Sequence, residues 1–288
     1  MKKVKKAVIL CGGLATRMLP ITKTVPKEMM PILNRPAIDY CIQDLKENGV
    51  TEILIILGRD KESLEKYYDR NVETEQRVSE KPEFCSVINS MFEGVNVYFM
   101  RQKYARGTGF ALLEARNFVG KEPFILIFPD ELVLNQSYAG ALIEGYKKTG
   151  CSIIPMKQIP IEESYKYGMV SYKKDELGNK IEKIVEKPRP EESPSDVCYT
   201  GGGLFTSDVF DCVDVDSVPA NEEVILTKFF DYLAANHGMY GVYITGIRLD
   251  IGNPLGFVKA NVLAGLNDPK IGTQFKEFLK DLVNNGDI

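Results

Sequence analysis

Residues 10–20 carry the side chains in this chain that are best suited to hold a phosphate. They read Leu-Cys-Gly-Gly-Leu-Ala-Thr-Arg-Met-Leu-Pro and follow a short apolar run. Gly12 and Gly13 allow backbone amides to approach an anion closely, while Arg17 and Lys27 add a bidentate guanidinium and a compact positive charge. We therefore expect a loop that binds a polyanionic ligand. The alternative is a plain strand-to-loop turn with solvated surface charges.

Two familiar phosphate-binding loops do not fit this segment. A Walker loop would end in Gly-Lys-Ser or Gly-Lys-Thr, and the dinucleotide pattern would need glycines where Ala15 and Met18 stand. These mismatches disfavour an ATPase and a dehydrogenase. The six cysteines are widely spaced and His237 is the only histidine, so we expect neither a zinc site nor a disulfide framework.

Composition excludes further classes of protein. The 288 residues include 36 Lys plus Arg and 40 Asp plus Glu, and this formal net charge of −4 argues against a nucleic-acid partner. The apolar runs are far shorter than the roughly 20 residues that span a bilayer. The apolar run near the N-terminus is too short for the core of a signal peptide. We expect a cytoplasmic protein with no membrane partner.

The elements that must position the charged residues alternate along the chain. Continuous apolar runs at residues 7–11, 52–57 and 123–128 predict strands buried on both faces. Helical spacing at residues 37–48 and 108–117 separates them. This alternation predicts an α/β fold with a doubly wound sheet.

The remaining segments are more mixed. Residues 71–93 are charged and weakly periodic, which predicts an insertion with partial helix. The second half of the chain predicts α+β structure joined to the same sheet, with strands at residues 152–156, 168–172, 181–186 and 199–205. Residues 254–266 and 271–283 have amphipathic helical periodicity. The second of these places Phe275, Phe278, Leu279 and Leu282 on one face.

Several motifs occur together in one order. The glycine loop is followed by Pro-Lys-Glu-Met-Met-Pro at residues 26–31, Arg-Gln-Lys-Tyr-Ala-Arg-Gly-Thr-Gly at 101–109 and Pro-Asp at 129–130. Further along are Tyr-Gly at 167–168, Val-Glu-Lys-Pro at 185–188, Leu-Thr at 226–227 and Asp-Ile-Gly-Asn at 250–253. This ordered set covers nearly the whole chain. It resembles the sugar-phosphate nucleotidyltransferases, and within them the bacterial uridylyltransferase branch.

The resemblance implies an enzyme with a Rossmann-like doubly wound mixed sheet. It would be a single domain with a nucleotide-binding half at about residues 1–150, a sugar-binding half at about 151–253 and C-terminal helices at about 254–288. The implied reaction transfers the uridylyl group of UTP to glucose-1-phosphate, giving UDP-glucose and pyrophosphate with Mg²⁺ as cofactor. The resemblance also implies that the chain assembles as a homodimer or a homotetramer.

Roles for individual residues follow from the same resemblance. Arg17, Lys27 and Lys187 would be catalytic, with the first two on the triphosphate and Lys187 on the sugar phosphate. The nucleotide would contact Gly12, Gly13, Glu28, Gln102 and Gly107. Gly168, Glu186 and Lys187 would hold the sugar. Asp130 and Asp250 would ligate Mg²⁺, which suits carboxylate oxygens. Without the resemblance, Asp130 could cap a turn, and Glu186 with Lys187 could be a surface ion pair.

The chain also departs from the family's pattern. Ala15 replaces a glycine, Cys11 and Gly12 replace paired alanines, and Phe110 replaces a histidine. Near the expected sugar pocket, Ile225 replaces Gln, Lys228 replaces Asp, and Gly202 and Gly203 replace Arg and Tyr. These changes leave two alternatives open. One is a nucleotidyltransferase for another base, such as that of dTTP, or another sugar phosphate. The other is a regulatory paralogue that binds sugar nucleotides without turnover.

Overall fold

The computed structural model describes residues 1–81, 84–86, 90–91, 93–212 and 222–286. A ten-stranded mixed sheet forms the centre of the molecule, in the order β11-β9-β10-β13-β8-β12-β6-β1-β4-β5. Two short ribbons, β2 with β3 and β7 with β14, lie outside it. The strands are β1 Lys6–Cys11, β2 Pro31–Ile32, β3 Arg35–Pro36, β4 Glu52–Leu57, β5 Asn96–Arg101, β6 Phe124–Ile127, β7 Glu131–Leu134, β8 Ser152–Gln158, β9 Gly168–Asp175, β10 Gly178–Glu186, β11 Val197–Tyr199, β12 Gly203–Phe205, β13 Met239–Tyr243 and β14 Ile247–Asp250.

The parallel part of the sheet is built from the three apolar runs. Strand β1 lies between β6 and β4, and Ala7 is in register with Ile125 on one side and Ile53 on the other. All three of these side chains are fully buried. Because both faces of these strands are covered by helices, their sequences are continuously apolar rather than alternating.

Helices pack on both faces of the sheet. The sheet therefore separates the core into two main clusters, one on each side. The doubly wound α/β prediction is therefore confirmed. The helices are α1 Ala37–Glu47, α2 Glu62–Tyr68, α3 Val72–Val78, α4 Thr108–Glu114, α5 Arg116–Val119, α6 Tyr138–Thr149, α7 Lys228–Asn236, α8 Pro254–Asn267 and α9 Gly272–Asn284. The expected insertion at residues 71–93 contains α3, and part of it lies outside the described residues. None of the helices in the described ranges is long and apolar enough to cross a membrane.

One predicted strand is wrong. Residues 199–205 were expected to form a single strand, but the chain turns at Gly201 and Gly202 and separates β11 from β12. Both glycines adopt positive φ, at 98° and 67°. Two tyrosine hydroxyls fix the turn: Tyr138 donates to the carbonyl of Gly201 at 2.7 Å, and Tyr199 donates to that of Gly202 at 2.8 Å. A run of three glycines favours such a turn because positive φ is easily adopted only by glycine.

The turn leads to a testable prediction about stability. A β-carbon at Gly202 would lie 2.4 Å from the carbonyl oxygen of Leu126 and 2.7 Å from the hydroxyl of Tyr138. We expect Gly202→Ala to lower the free energy of unfolding by roughly 2–4 kcal/mol, through overpacking together with backbone strain. Gly150→Ala is the control, because φ there is 71° but the nearest atom to its β-carbon is 3.8 Å away. Denaturant unfolding of both variants tests this, and equal losses would contradict the packing argument.

The ribbon of β7 and β14 lies beside the carboxyl end of β6. It packs on α8 through a small apolar cluster that includes Leu132, Leu249, Ile251 and Ala260. Asn253 begins α8 by accepting a hydrogen bond from the amide of Gly256 at 2.9 Å. The amide of Ile251 donates to the carbonyl of Asp130 at 2.9 Å, which joins the start of β7 to the end of β14. This ribbon is the element that positions both predicted metal ligands.

Candidate active site

A cavity of about 620 Å³ opens at the carboxyl ends of the parallel strands. This is where open α/β sheets bind ligands. Its wall combines residues from both halves of the chain. Eight of the twelve residues predicted to form the site line it, namely Gly12, Gly13, Lys27, Gln102, Gly107, Asp130, Gly168 and Glu186. Arg17 and Asp250 do not line it, but they form an ion pair with each other, and Asp250 is in register with the lining residue Glu131. Glu28 and Lys187 are not among its lining residues.

The glycine loop is closely approached from two sides. A β-carbon at Gly12 would lie 3.3 Å from the side-chain oxygen of Gln102, and one at Gly13 would lie 3.4 Å from the ammonium of Lys27. The strand end behind the loop is equally tight, since a β-carbon at Gly58 would lie 2.8 Å from the carbonyl oxygen of Gly12. The loop therefore leaves backbone atoms exposed between an amide side chain and a cation.

Lys27 and Asp130 form an ion pair on the cavity wall. The ammonium Nζ lies 2.5 Å from Oδ2 of Asp130, and the two side chains are only 14% and 18% exposed. Burial on its own lowers the pKa of Lys27, but the neighbouring carboxylate of Asp130 raises it above its usual value. Lys27 is therefore a cation at neutral pH.

Arg17 and Asp250 form a second pair, further from the cavity wall. Guanidinium Nη1 lies 2.9 Å from Oδ2 of Asp250, with Arg17 61% exposed. The amide of Gly252 donates to Oδ1 of the same carboxylate at 2.9 Å. An ion pair this exposed contributes little to stability, so Arg17 can exchange Asp250 for an anionic ligand at low cost.

The two carboxylates converge on one point. A β-carbon at Gly252 would lie 3.0 Å from Oδ1 of Asp250 and 3.3 Å from Oδ2 of Asp130. Residues 130 and 250 come together because β7 and β14 are antiparallel, with Glu131 in register with Asp250. Among the described residues no group of three or more His, Cys, Asp or Glu could hold a metal ion. Two carboxylates nevertheless fit Mg²⁺, which binds through one or two protein oxygens together with phosphate and water.

Sequence reasoning missed a further pair of ionisable side chains on the cavity wall, Glu131 and Arg248. Nη2 of Arg248 lies 2.7 Å from Oε1 of Glu131. Burial, together with the charges of Asp130 and Asp250, raises the pKa of Glu131 to about 8, against the lowering effect of Arg248. The guanidinium also lies 5.6 Å from the ring centroid of Tyr167. In the sequence, the only indication of this pair was that Glu131 follows Asp130 directly and that Arg248 lies two positions before Asp250.

Gly107, one of the predicted base-binding residues, contacts the segment at Val224, a contact that the sequence did not predict. Gly107 has φ of 89°, and a β-carbon on it would lie 2.6 Å from the carbonyl oxygen of Val224. The amide of Val224 donates to the carbonyl of Arg106 at 2.8 Å, and the amide of Gly109 donates back to Val224 at 2.8 Å. This contact brings Ile225 to the cavity wall, whereas Lys228 is exposed at the start of α7.

The predicted sugar residues lie on a β-hairpin. Gly168 on β9 pairs with Glu186 on β10, and a β-carbon at Gly168 would lie 3.3 Å from Oε2 of Glu186. Lys187 follows with φ of 48°, and its amide donates to the carbonyl of Tyr167 at 2.9 Å. Its side chain is exposed, while Lys166 lines the cavity. The fold thus brings Gly168 and Glu186 together at the wall and leaves Lys187 beside it.

Glu28 lies inside the protein. Its side chain is fully buried, and both of its carboxylate oxygens accept hydrogen bonds from Nζ of Lys61, at 2.8 and 2.6 Å. Lys61 is itself only 7% exposed. Sequence reasoning missed this lysine, because nothing local to Arg-Asp-Lys at residues 59–61 distinguishes it from a surface residue.

Comparisons with known proteins show the family to which this chain belongs. Residues 6–265 match the nucleotidyl transferase family. A UTP–glucose-1-phosphate uridylyltransferase of Staphylococcus haemolyticus is 32% identical over 98% of this chain and 99% of its own length.

Solved structures give the same result. A UTP-bound UGPase from Acinetobacter baumannii is 30% identical and superimposes with a TM-score of 0.87, over 97% of this chain and 99% of that one. A UDP-glucose pyrophosphorylase complexed with UDP-glucose is 31% identical with a TM-score of 0.78, over 90% and 97% of the two chains. The family match and these full-length similarities confirm the expected kinship. The chain belongs to the nucleotidyl transferase family.

Proposed function

We propose that this protein transfers the uridylyl group of UTP to glucose-1-phosphate, forming UDP-glucose and pyrophosphate. One observation carries the proposal. Two carboxylates and two cations converge beside a glycine loop at the mouth of a large cavity, in a chain that resembles uridylyltransferases along nearly its whole length. Both halves of the chain contribute to that cavity, as a reaction between two substrates requires.

The reaction needs no enzyme nucleophile. A phosphate oxygen of glucose-1-phosphate attacks the α-phosphorus of UTP directly, and pyrophosphate leaves. Because both reactants are anions, the protein must bring them together and stabilise the negative charge that develops on the leaving group. A site built from cations, backbone amides and carboxylates is suited to this work.

Among the cations, Arg17 and Lys27 bind the triphosphate in this proposal, alongside the amides of Gly12 and Gly13. Arg17 is exposed and offers a planar guanidinium fork for two phosphate oxygens, while Lys27 offers a point charge next to Asp130. Lys187 would bind the sugar phosphate from its place beside Glu186. In this assignment, each substrate's phosphate groups are bound by their own positively charged side chains.

Asp130 and Asp250 would hold Mg²⁺. The fit rests on their converging oxygens, both within about 3.3 Å of the same point beside Gly252. When bound, the ion would neutralise phosphate oxygens and polarise the reacting phosphoryl group. Ion pairs with Lys27 and Arg17 hold Asp130 and Asp250 in place beside this point.

Specificity would come from the two ends of the cavity. At one end, Gln102 and the backbone at Gly107 would read uracil, whereas Glu28 is buried against Lys61 outside the cavity wall. At the other end, Gly168 and Glu186 would bind glucose hydroxyls, and Ile225 would supply an apolar contact where the family has an amide. We assign the nucleotide-binding half to about residues 1–150, the sugar-binding half to about 151–253 and the C-terminal helices to about 254–288.

Pyrophosphate release with different substrate pairs tests the proposal. With Mg²⁺ and glucose-1-phosphate, we expect UTP to give the highest kcat/KM among UTP, dTTP, CTP, ATP and GTP. Replacing glucose-1-phosphate by galactose-1-phosphate should lower it, since a site built to pair a hydroxyl discriminates strongly against its loss or displacement. Higher activity with dTTP, or with another sugar phosphate, would reassign the substrate while keeping the chemistry. No release with any pair, despite binding of UDP-glucose, would favour a regulatory paralogue.

We further propose a homodimer or homotetramer in the cytoplasm. The C-terminal helices support the assembly, because they expose large apolar side chains: Leu255, Val258, Phe278 and Val283 are 64%, 56%, 55% and 60% exposed. Covering such side chains in a subunit interface would remove them from water. Light scattering coupled to size exclusion measures the assembly, and a monomer at micromolar concentration would reject this part of the proposal.

A further inference from the structure

The ion pair between Glu28 and Lys61 is unusual because both partners are inside the protein. Lysine and glutamate are almost never fully buried unless they are paired. Here one ammonium binds both oxygens of one carboxylate, and the side chains are 7% and 0% exposed. Replacing such a pair by apolar residues is often neutral or stabilising, so stability is a weak reason for its presence.

The pair connects two segments that flank the glycine loop. Glu28 lies in a single turn of 3₁₀ helix, Lys27–Met29, and Lys61 immediately precedes α2. The segment that leads to Lys61 is held against the loop, since the amide of Gly58 donates to the carbonyl of Cys11 at 3.1 Å. The ion pair therefore joins the turn to the part of the sheet from which the loop emerges.

Besides the ion pair of Glu28, the turn is held by half-buried Met29, which packs against the core, and by contacts with α1. Two hydrogen bonds close it, from the amide of Met29 to the carbonyl of Pro26 at 2.9 Å and from that of Met30 to Lys27 at 3.2 Å. Short 3₁₀ turns have poor hydrogen-bond geometry and depend on their surroundings. Its one completely buried side chain is that of Glu28, which faces Lys61.

Lys27 is the residue next to this anchor. Its ammonium is 2.5 Å from Asp130 and would be 3.4 Å from a β-carbon on Gly13, so its position depends on the orientation of the turn. We propose that Lys61 is a positioning residue, which fixes Glu28 and through it holds the Lys27 ammonium where the triphosphate and Asp130 require it. The proposal rests on the proposed function, and it assigns Lys61 no contact with substrate.

A double-mutant cycle on kcat tests this role. Lys61→Met should lower kcat roughly 10- to 100-fold, because small misplacements of a catalytic group have effects of this size. It should leave the KM for glucose-1-phosphate unchanged. In a Lys27→Met background the same substitution should change kcat by no more than about twofold, because the group it positions is already absent. Lys66→Met, at an exposed lysine on α2, is the matched control.

Thermal unfolding of every variant shows whether the assay is made on folded protein. If Lys61→Met does not fold, the cycle is run with Glu28→Met combined with Lys61→Met, which removes both buried charges. Unchanged kcat in the folded variant would overturn the inference, as would a loss that multiplies with that of Lys27→Met. Failure of the proposed function is distinct, because the unaltered protein would then release no pyrophosphate from any substrate pair.

Discussion

Asp130→Asn is expected to lower kcat for pyrophosphate release at least roughly 1,000-fold. Removing a single hydrogen-bond donor to a charged transition state already costs about 100- to 1,000-fold, and Asp130 interacts with both Lys27 and the proposed metal. The amide keeps the shape of the side chain but removes its charge. It therefore loses the ion pair that now measures 2.5 Å to the Lys27 ammonium.

The assay is pyrophosphate release at saturating UTP and glucose-1-phosphate, repeated over a range of Mg²⁺ concentrations. If the carboxylate is a metal ligand, the Mg²⁺ concentration that gives the half-maximal rate should rise, because the site has lost one of its two protein oxygens. Asp281→Asn, an exposed aspartate on α9, is the control and should behave like the unaltered protein. A folded Asp130→Asn variant with kcat within tenfold of the original would contradict the assignment.

Lys27→Met is expected to have two effects of opposite direction. Without the ammonium, the charge that develops on pyrophosphate is less well stabilised, and kcat should fall roughly 100- to 1,000-fold. At the same time Oδ2 of Asp130 loses its ion-pair partner at 2.5 Å and becomes free to bind a cation. We therefore expect the nucleotide-free variant to bind Mn²⁺, as a probe for Mg²⁺, more tightly than the unaltered protein does.

Rapid-quench kinetics and Mn²⁺ titration followed by electron paramagnetic resonance measure the two effects separately. Lys23→Met provides the control, since Lys23 is an exposed lysine in the same segment. The combination of slower turnover and tighter Mn²⁺ binding is specific to a lysine that shares its carboxylate with a metal. Weaker Mn²⁺ binding in the variant would instead mean that Lys27 supports the metal site by orienting Asp130.

The sequence determined the class of fold and the family. Three buried apolar runs separated by helical spacing predicted the doubly wound sheet, and the strands at residues 6–11, 52–57 and 124–127 agree closely with those runs. Local information is sufficient there, because a parallel strand covered on both faces must be apolar throughout. The ordered motifs identified the family, because their residues are fixed by chemistry rather than by packing.

Local patterns were less informative where the chain reverses. Residues 199–205 have the composition of one strand, but the glycines within them form the turn between β11 and β12. The turn is held by hydroxyl groups of Tyr138 and Tyr199, so its conformation depends on a contact with a residue more than 60 positions away. Such a contact leaves no periodic signal in the sequence.

Only the tertiary structure decided how the charged residues are paired. Asp130 and Asp250 are 120 positions apart, and they meet because β7 and β14 form a ribbon that the sequence did not predict. Lys61 and Glu28 are paired inside the protein, although each occurs in a charged, loop-like segment. Ion pairs are formed by side chains that the fold brings within a few ångströms, and charge in a sequence carries no information about distance. The sequence thus determined which chemical groups are present, and the packing of the ribbon and of the turn at residues 27–29 decided which of them act together.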